Sequence, residues 1–154
     1  MNKEDLIELA LSVAADRDAW EHEIRHDADE RTYSRLSADD DTEVWLICWS
    51  EGHDTGFHDH DGSAGAVAVI DGAVVEERLT VGTDPARRVA HAGEAFFFES
   101  FDIHRVHHSG ERPAVTVHAY SPPLRRVGSY VIEPDGRLAR HAMDAEDELK
   151  PIEA

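Results

Sequence analysis

Apolar residues recur at helical spacing in the first twenty-five positions of the chain. They are Leu6, Leu9, Ala10, Val13, Trp20 and Ile24. Asn2 and Asp5 precede this pattern in the positions that a capping box uses, where each side chain bonds the backbone of the other residue. The pattern therefore predicts one or two helices over residues 3–25.

After residue 30 the pattern changes to short apolar or alternating runs. They are RTYSRL, EVWLICWS, GAVAVI, AVVEERLTV, EAFFFES, HRVHH, AVTVHAYS and GSYVIE. Turn residues separate them, at Asp71-Gly72, Gly82, Gly93, Ser109-Gly110 and Pro122-Pro123. Many short strands at such spacing predict a mainly β sandwich or barrel. The Asp-Gly pair within IDGA also predicts a two-residue hairpin turn between the strands on either side.

The chain shows no internal repeat and no linker, so we expect one domain over residues 1–154. Its helical part is expected over about 3–25 and its barrel over about 30–133. The last residues, about 142–154, are acidic and are expected to form a loosely held tail.

Composition and charge exclude several classes of partner. The formal net charge of −18 argues against nucleic acid and anionic membranes, which bind basic patches. No run approaches the roughly 20 apolar residues of a membrane span, and the N-terminus is acidic rather than signal-like. The single cysteine, Cys48, excludes an internal disulfide and favours a reducing compartment. We expect a cytoplasmic monomer or homodimer.

Candidate chemistry is concentrated in GHDTGFHDHDGSAG, residues 52–65, which contains His58 and His60 as an H-x-H pair. On a strand, residues i and i+2 face the same side, so the two imidazoles project together and Asp59 points away. Adjacent imidazoles repel when protonated, so the pair suits a cation held by neutral rings. Taken alone, the pair is equally compatible with a chance or structural arrangement.

The surrounding spacing is more specific, because it resembles the two motifs of the cupins. Gly52, Gly65 and Gly72 complete the first motif around the pair. Gly93, the run EAFFFES and His104 form the second, with His108 where that motif usually ends in asparagine.

The resemblance implies a small double-sheet barrel with ligands converging inside it. The implied metal site is His58, His60 and His104, and Gly65 stands where a cupin usually places a metal-binding glutamate. Three imidazoles suit zinc, iron, nickel or copper.

Three longer segments resemble the cysteine dioxygenase family of thiol dioxygenases, over roughly residues 30–132. They are LICWSEGHDTGFHDHDGSAG, IHRV and PAVTVHAYSPPL. The family fold is a cupin barrel, or double-stranded β-helix, with helices packed at its N-terminal side. The family reaction adds both atoms of dioxygen to a thiol at Fe(II) and gives a sulfinic acid. The resemblance therefore implies Fe(II) as cofactor, with dioxygen and a small thiol, foremost L-cysteine, as partners.

The same resemblance assigns roles to five further residues. Tyr33 and Arg35 match a Y-x-R pair whose arginine holds the substrate carboxylate, a group that the guanidinium fork can bind through two hydrogen bonds. Tyr120 matches the active-site tyrosine and His118 the histidine that orients it. Thr116 stands where the family more often has serine. Positions 116, 118 and 120 alternate on a strand, so these side chains share a face and could form a hydrogen-bonded relay.

Two departures from the family leave the substrate open. Vertebrate members have a cysteine at the position of Gly65, crosslinked to the active-site tyrosine, and a histidine at that of Ala64. Bacterial members commonly lack the crosslink. Another small thiol therefore stays an alternative: 3-mercaptopropionate, mercaptosuccinate or a thiohistidine such as ergothioneine. Members that act on 3-mercaptopropionate tend to have glutamine in place of Arg35, so the arginine favours cysteine.

Two other classes are weaker alternatives. A non-catalytic metal-binding cupin or sensor would need only the three histidines, and a cupin isomerase would need the missing glutamate. His53, His91, His107 and His108 are among the histidines that have no role in any of these schemes.

Overall fold

The computed structural model describes residues 1–144, which form a short helical segment followed by two β-sheets. The helices are α1 (Lys3–Ala15) and α2 (Arg17–Trp20), followed by a 3-10 turn at Glu21–Glu23. The strands are β1 (Thr32–Ala38), β2 (Glu43–Trp49), β3 (His58–Asp59), β4 (Ala64–Asp71), β5 (Ala73–Arg78), β6 (Ala86–His91), β7 (Ala95–Phe98), β8 (His104–Ser109), β9 (Ala114–Ser121), β10 (Arg126–Ile132) and β11 (Leu138–Asp144). Within residues 1–144, every helix is too short or too polar to span a bilayer.

The N-terminal helices form where the apolar spacing predicts them, and the predicted capping box is confirmed. The Asp5 N–H donates to Asn2 Oδ1 at 2.8 Å, and the Asn2 N–H donates to the Asp5 carboxylate at 3.4 Å. One side of α1 is buried through Leu6 and Ala10, which pack with Leu46 and Val117 of the first sheet. The helix therefore covers the outer face of that sheet.

The strands form two antiparallel sheets that face each other across an apolar core. The first sheet has the order β1-β2-β9-β4-β7, and the second β11-β10-β3-β8-β5-β6. Side chains alternate along each strand, so one set faces inward and the other outward. Ile47, Val67, Phe96 and Val106 belong to the inner set. The mainly β cupin fold that the sequence predicts is confirmed.

The hairpin predicted at IDGA is wrong. β4 pairs with β7 and β9 in the first sheet, whereas β5 pairs with β6 and β8 in the second. Both edges of β4 are thus taken by other strands, and the chain passes between the sheets at Gly72. This glycine has a φ of +70°, and a Cβ atom there would lie 2.5 Å from the Pro113 carbonyl oxygen. The Asp-Gly pair makes a corner of the barrel.

Three strands lie outside the runs that the sequence analysis recognised. β3 has two residues, and β6 is a largely exposed, arginine-containing edge strand, a position where polar side chains are tolerated. β11 pairs with β10 along its whole length. The sheet therefore continues past residue 133, and residues 142–144, expected to begin the acidic tail, are part of a strand. Residues 145–154, the rest of that tail, lie outside the described residues.

Candidate metal centre

The structure brings together the three histidines that the cupin motifs imply as ligands. His58 on β3 lies directly opposite His104 on β8, and His60 follows one residue after β3 ends. All three are buried, with exposed fractions of 1–2%. One ligand nitrogen from each ring lies within 4.8 Å of the other two. This spacing allows the three nitrogens to contact one ion.

Hydrogen bonds define which nitrogen of His58 and of His104 would face a bound ion. His58 Nδ1 lies 2.9 Å from the Gly56 carbonyl oxygen, which can only accept, so Nδ1 carries the proton. His104 Nδ1 lies 2.7 Å from Glu76 Oε2 and donates to it. In both rings the Nε2 lone pair is left as the ligand. A buried set of neutral imidazole nitrogens fits a divalent transition metal such as Fe(II).

A row of polar side chains on β9 lies beside the histidines. Thr116, His118 and Tyr120 are buried and alternate along the strand, as the relay requires. The Thr116 hydroxyl and His118 Nε2 are hydrogen-bonded at 2.7 Å. The Tyr120 ring is centred 6.4 Å from that of His118 and 5.5 Å from that of His60. The row therefore runs along β9 from Thr116 to Tyr120, whose ring lies next to the three-histidine cluster.

The structure adds to this row Trp49, to which the sequence motifs assign no role. The Trp49 indole N–H donates to Thr116 Oγ1 at 2.8 Å, across a sequence separation of 67 residues. An indole N–H can only donate, so the hydroxyl proton of Thr116 stays available to His118. Trp49 thus anchors the far end of the row.

Tyr33 and Arg35 lie on β1, an edge strand of the first sheet. Tyr33 is half-buried and packs edge-on against Trp45, with ring centroids 5.7 Å apart. Arg35 is exposed, and its guanidinium carbon lies 6.0 Å from the centre of the Trp45 ring. Arg31, which sequence reasoning did not single out, is the buried arginine of this segment and lies 5.3 Å over the Trp49 ring.

Asp59, between the two ligands of the H-x-H pair, points away from the cluster as predicted. Its carboxylate accepts two hydrogen bonds from Arg140, at 2.9 and 3.0 Å, and one from the Tyr130 hydroxyl at 2.6 Å. Burial alone would raise the pKa of Asp59, but these bonds outweigh it and lower the pKa to about 2. The ligand segment is thereby anchored to β10 and β11. No motif in the sequence signals this contact.

Phe98 fills the space between Gly65 and the cluster. Its ring stacks on His60 with centroids 4.2 Å apart and lies 4.5 Å from that of His104. Gly65 pairs with Phe98 on one side and Tyr120 on the other. A Cβ atom on Gly65 would overlap the tip of the Phe98 ring, at 2.6 Å from Cε2. The ring leaves no room for a side chain at position 65.

Comparison with known proteins assigns the chain to a family. The model of the family described as cysteine dioxygenase type I matches residues 1–132. The chain belongs to the cysteine dioxygenase type I family. Cysteine dioxygenase type 1 of Danio rerio is 27% identical over 154 residues, covering 92% of this chain and 74% of that protein. The Homo sapiens enzyme is 27% identical over 127 residues, covering 75% of this chain and 64% of that protein.

Solved structures with low sequence identity to this chain share its barrel. An uncharacterized conserved protein with a double-stranded beta-helix domain from Klebsiella pneumoniae aligns with a TM-score of 0.59 at 18% identity, covering 78% of this chain and 86% of that one. A cupin superfamily protein from Desulfitobacterium hafniense aligns with a TM-score of 0.54 at 12% identity, covering 67% and 87%. At such identities the likeness shows the cupin fold alone.

The packing at Gly65 gives a stability prediction for this cysteine dioxygenase family member. Replacing Gly65 by cysteine, the residue of the vertebrate members, is expected to lower the free energy of unfolding by about 1–3 kcal/mol through overpacking against Phe98. Replacing Phe98 by leucine removes both ring atoms that the new Cβ would overlap. In urea unfolding, the double variant should therefore lose less than the sum of the two single changes. Strictly additive losses would contradict this packing account.

The histidines without an assigned role lie outside the cluster. The group of three found among residues 1–144 contains none of His53, His91, His107 and His108. His53 is buried, accepts the Ser50 N–H at 2.9 Å through Nδ1 and donates to the Ala28 carbonyl at 3.2 Å. Burial lowers the pKa of His53, which favours its neutral form. His53 therefore has a structural role in the loop before the ligands.

Proposed function

We propose that this protein is a non-heme Fe(II) thiol dioxygenase that oxidises a small thiol, foremost L-cysteine, to its sulfinic acid. The observation that carries the proposal is the buried cluster of His58, His60 and His104 beside Tyr120, in a chain of the cysteine dioxygenase type I family. Bound Fe(II) would supply a centre at which a thiolate and dioxygen are brought together. Such a reaction takes the sulfur two steps up the thiol oxidation ladder.

The residues around the cluster divide the remaining tasks. Tyr120 would donate a hydrogen bond to the reacting sulfur or oxygen from a site that excludes water. His118 would orient the Tyr120 hydroxyl, and Thr116, held by Trp49, would orient His118. Because Trp49 holds Thr116 and Thr116 holds His118, the histidine would need little reorganisation to act on the tyrosine when the substrate binds.

Arg35 and Tyr33 would bind the other end of the substrate. Arg35 is exposed on an edge strand, which suits a carboxylate that faces solvent while the thiol points toward the histidines. Arginine is suited to this role because its planar fork meets a carboxylate through two charge-assisted hydrogen bonds.

Replacing Arg35 by alanine should weaken the binding of carboxylate thiols. Loss of a charged hydrogen bond costs roughly 1.5–3 kcal/mol, or about 10- to 100-fold in affinity. The measurement is kcat/KM for L-cysteine against that for cysteamine, which has the same thiol and amine but no carboxylate. Cysteamine turnover should be unchanged in the variant. An unchanged kcat/KM for L-cysteine would remove Arg35 from the substrate site.

We infer a single domain over residues 1–154 that acts in the cytoplasm as a monomer or homodimer, without nucleic acid or membrane partners. The single cysteine and the net charge of −18 support this.

A thiol panel tests the proposed function. The purified protein is loaded with Fe(II) under anaerobic conditions and then given oxygen with L-cysteine, 3-mercaptopropionate, mercaptosuccinate or ergothioneine. Oxygen uptake with two oxygen atoms gained by L-cysteine is the expected result. Preference for another thiol would change the substrate and keep the reaction. No turnover of any thiol, with iron bound, would favour a non-catalytic sensor.

A further inference from the structure

Glu76 is a buried acid inside the barrel. It is 1% exposed and lies on β5, two positions after Val74 of the core and directly opposite Val106. A carboxylate in such surroundings is costly unless it is paired and hydrogen-bonded. Its position on an otherwise apolar inner face is the one signal that the sequence offers, because it lies in none of the cupin or dioxygenase segments quoted above.

The Glu76 carboxylate joins a metal ligand to two arginines. Oε2 accepts from His104 Nδ1 at 2.7 Å and from Arg78 Nη2 at 2.8 Å. Oε1 lies 3.2 Å from Arg88 Nε. Arg78 is itself held, since its Nη2 also donates to the Phe97 carbonyl at 2.8 Å. The carboxylate is therefore held in position by two arginines as well as by the histidine.

The partners of the ligand histidines differ in charge. His58 donates from Nδ1 to the Gly56 carbonyl, which is neutral, whereas His104 donates to a carboxylate. A carboxylate acceptor polarises the ring further and makes Nε2 a stronger donor to a metal. The three ligands themselves contain no carboxylate. Glu76 thus places a carboxylate one hydrogen bond away from a proposed metal ligand.

We propose that Glu76 is a positioning residue of the metal centre, which sets the tautomer, orientation and donor strength of His104. Arg78 and Arg88 hold the carboxylate and partly compensate its charge. The inference rests on the proposed metal centre and concerns metal affinity and redox behaviour, so it can be tested without any thiol.

The test compares Glu76→Gln with Glu77→Gln. Glu77 is the next residue on β5, and its carboxylate pairs with Arg105 at 2.6 Å, so the control makes the same chemical change outside the cluster. Anaerobic competition with a chelator measures the Fe(II) dissociation constant. Glu76→Gln should weaken binding by about 10- to 100-fold. Glu77→Gln should stay within about twofold of the wild type.

The Fe(III)/Fe(II) midpoint potential is a second readout. A general loosening of the fold would not shift this potential in a defined direction. Negative charge near the ion stabilises Fe(III) more than Fe(II), so Glu76→Gln should raise the potential and Glu77→Gln should not. If Glu76→Gln fails to fold, Arg88→Gln replaces it, because Arg88 is half-exposed. Losing this cation leaves the Glu76 charge less compensated, so the potential should fall.

The outcomes separate this inference from the proposed function. Fe(II) bound equally by the wild type and a folded Glu76→Gln variant would overturn the role of Glu76 and leave the dioxygenase proposal standing. An unchanged or raised potential in Arg88→Gln would also overturn it. A wild-type protein that binds no Fe(II) would overturn both.

Discussion

Replacing His58 by alanine is expected to abolish iron binding and thiol oxidation together. The substitution removes one of three convergent imidazoles and leaves two, in a cluster that supplies no carboxylate. Bound iron should fall from about one ion per chain to near zero, because affinity depends on the complete ligand set. A metal centre contributes several kcal/mol to such a reaction, so kcat/KM should fall by roughly a thousandfold or more. Iron content and oxygen uptake are the measurements.

The control for this prediction is another histidine outside the cluster. His91 is exposed at the end of β6, so His91→Ala should keep both iron and activity. Thermal unfolding of the iron-free proteins shows whether His58→Ala has kept its fold. A folded His58→Ala variant with normal iron content would place the metal elsewhere in the molecule.

The second large effect is expected from Tyr120→Phe, which should retain iron and lose turnover. The change removes a hydroxyl from a buried ring centred 5.5 Å from that of His60 and leaves the ring itself in the core. A positioned proton donor or acceptor typically contributes 10²- to 10⁴-fold, so we expect kcat to fall by about a hundredfold. Iron analysis and steady-state oxygen uptake measure the two quantities separately.

Tyr130→Phe is the matched control, since it removes a hydroxyl that bonds Asp59 at 2.6 Å on the other side of the ligand segment. Arg140 still holds Asp59 through two bonds, so the segment stays anchored. This variant should lose about 1.5–3 kcal/mol of stability in urea, the value of a charged hydrogen bond, and little kcat. A Tyr120→Phe enzyme with wild-type kcat would contradict the role of the tyrosine.

Short-range patterns in the sequence were sufficient to predict much of the fold. The capping box at Asn2 and Asp5, the N-terminal helices and most inner strands were predictable because they depend on neighbours two to four positions apart. The edge strands β6 and β11 were missed, because they are polar and their pairing depends on partners elsewhere in the sheet. The hairpin at Gly72 failed for the same reason, since the strands that occupy both edges of β4 come from distant segments.

The sequence by itself determined the chemistry of the centre: the H-x-H pair, the distant His104 and the alternating polar row on β9. Only the tertiary structure decided what surrounds them. Glu76 bonds His104 across 28 residues, Trp49 bonds Thr116 across 67, and Arg140 bonds Asp59 across 81. The Phe98 ring that excludes a side chain from Gly65 also depends on which strand lies beside β4. Such contacts follow from strand order and register, which short-range patterns do not specify.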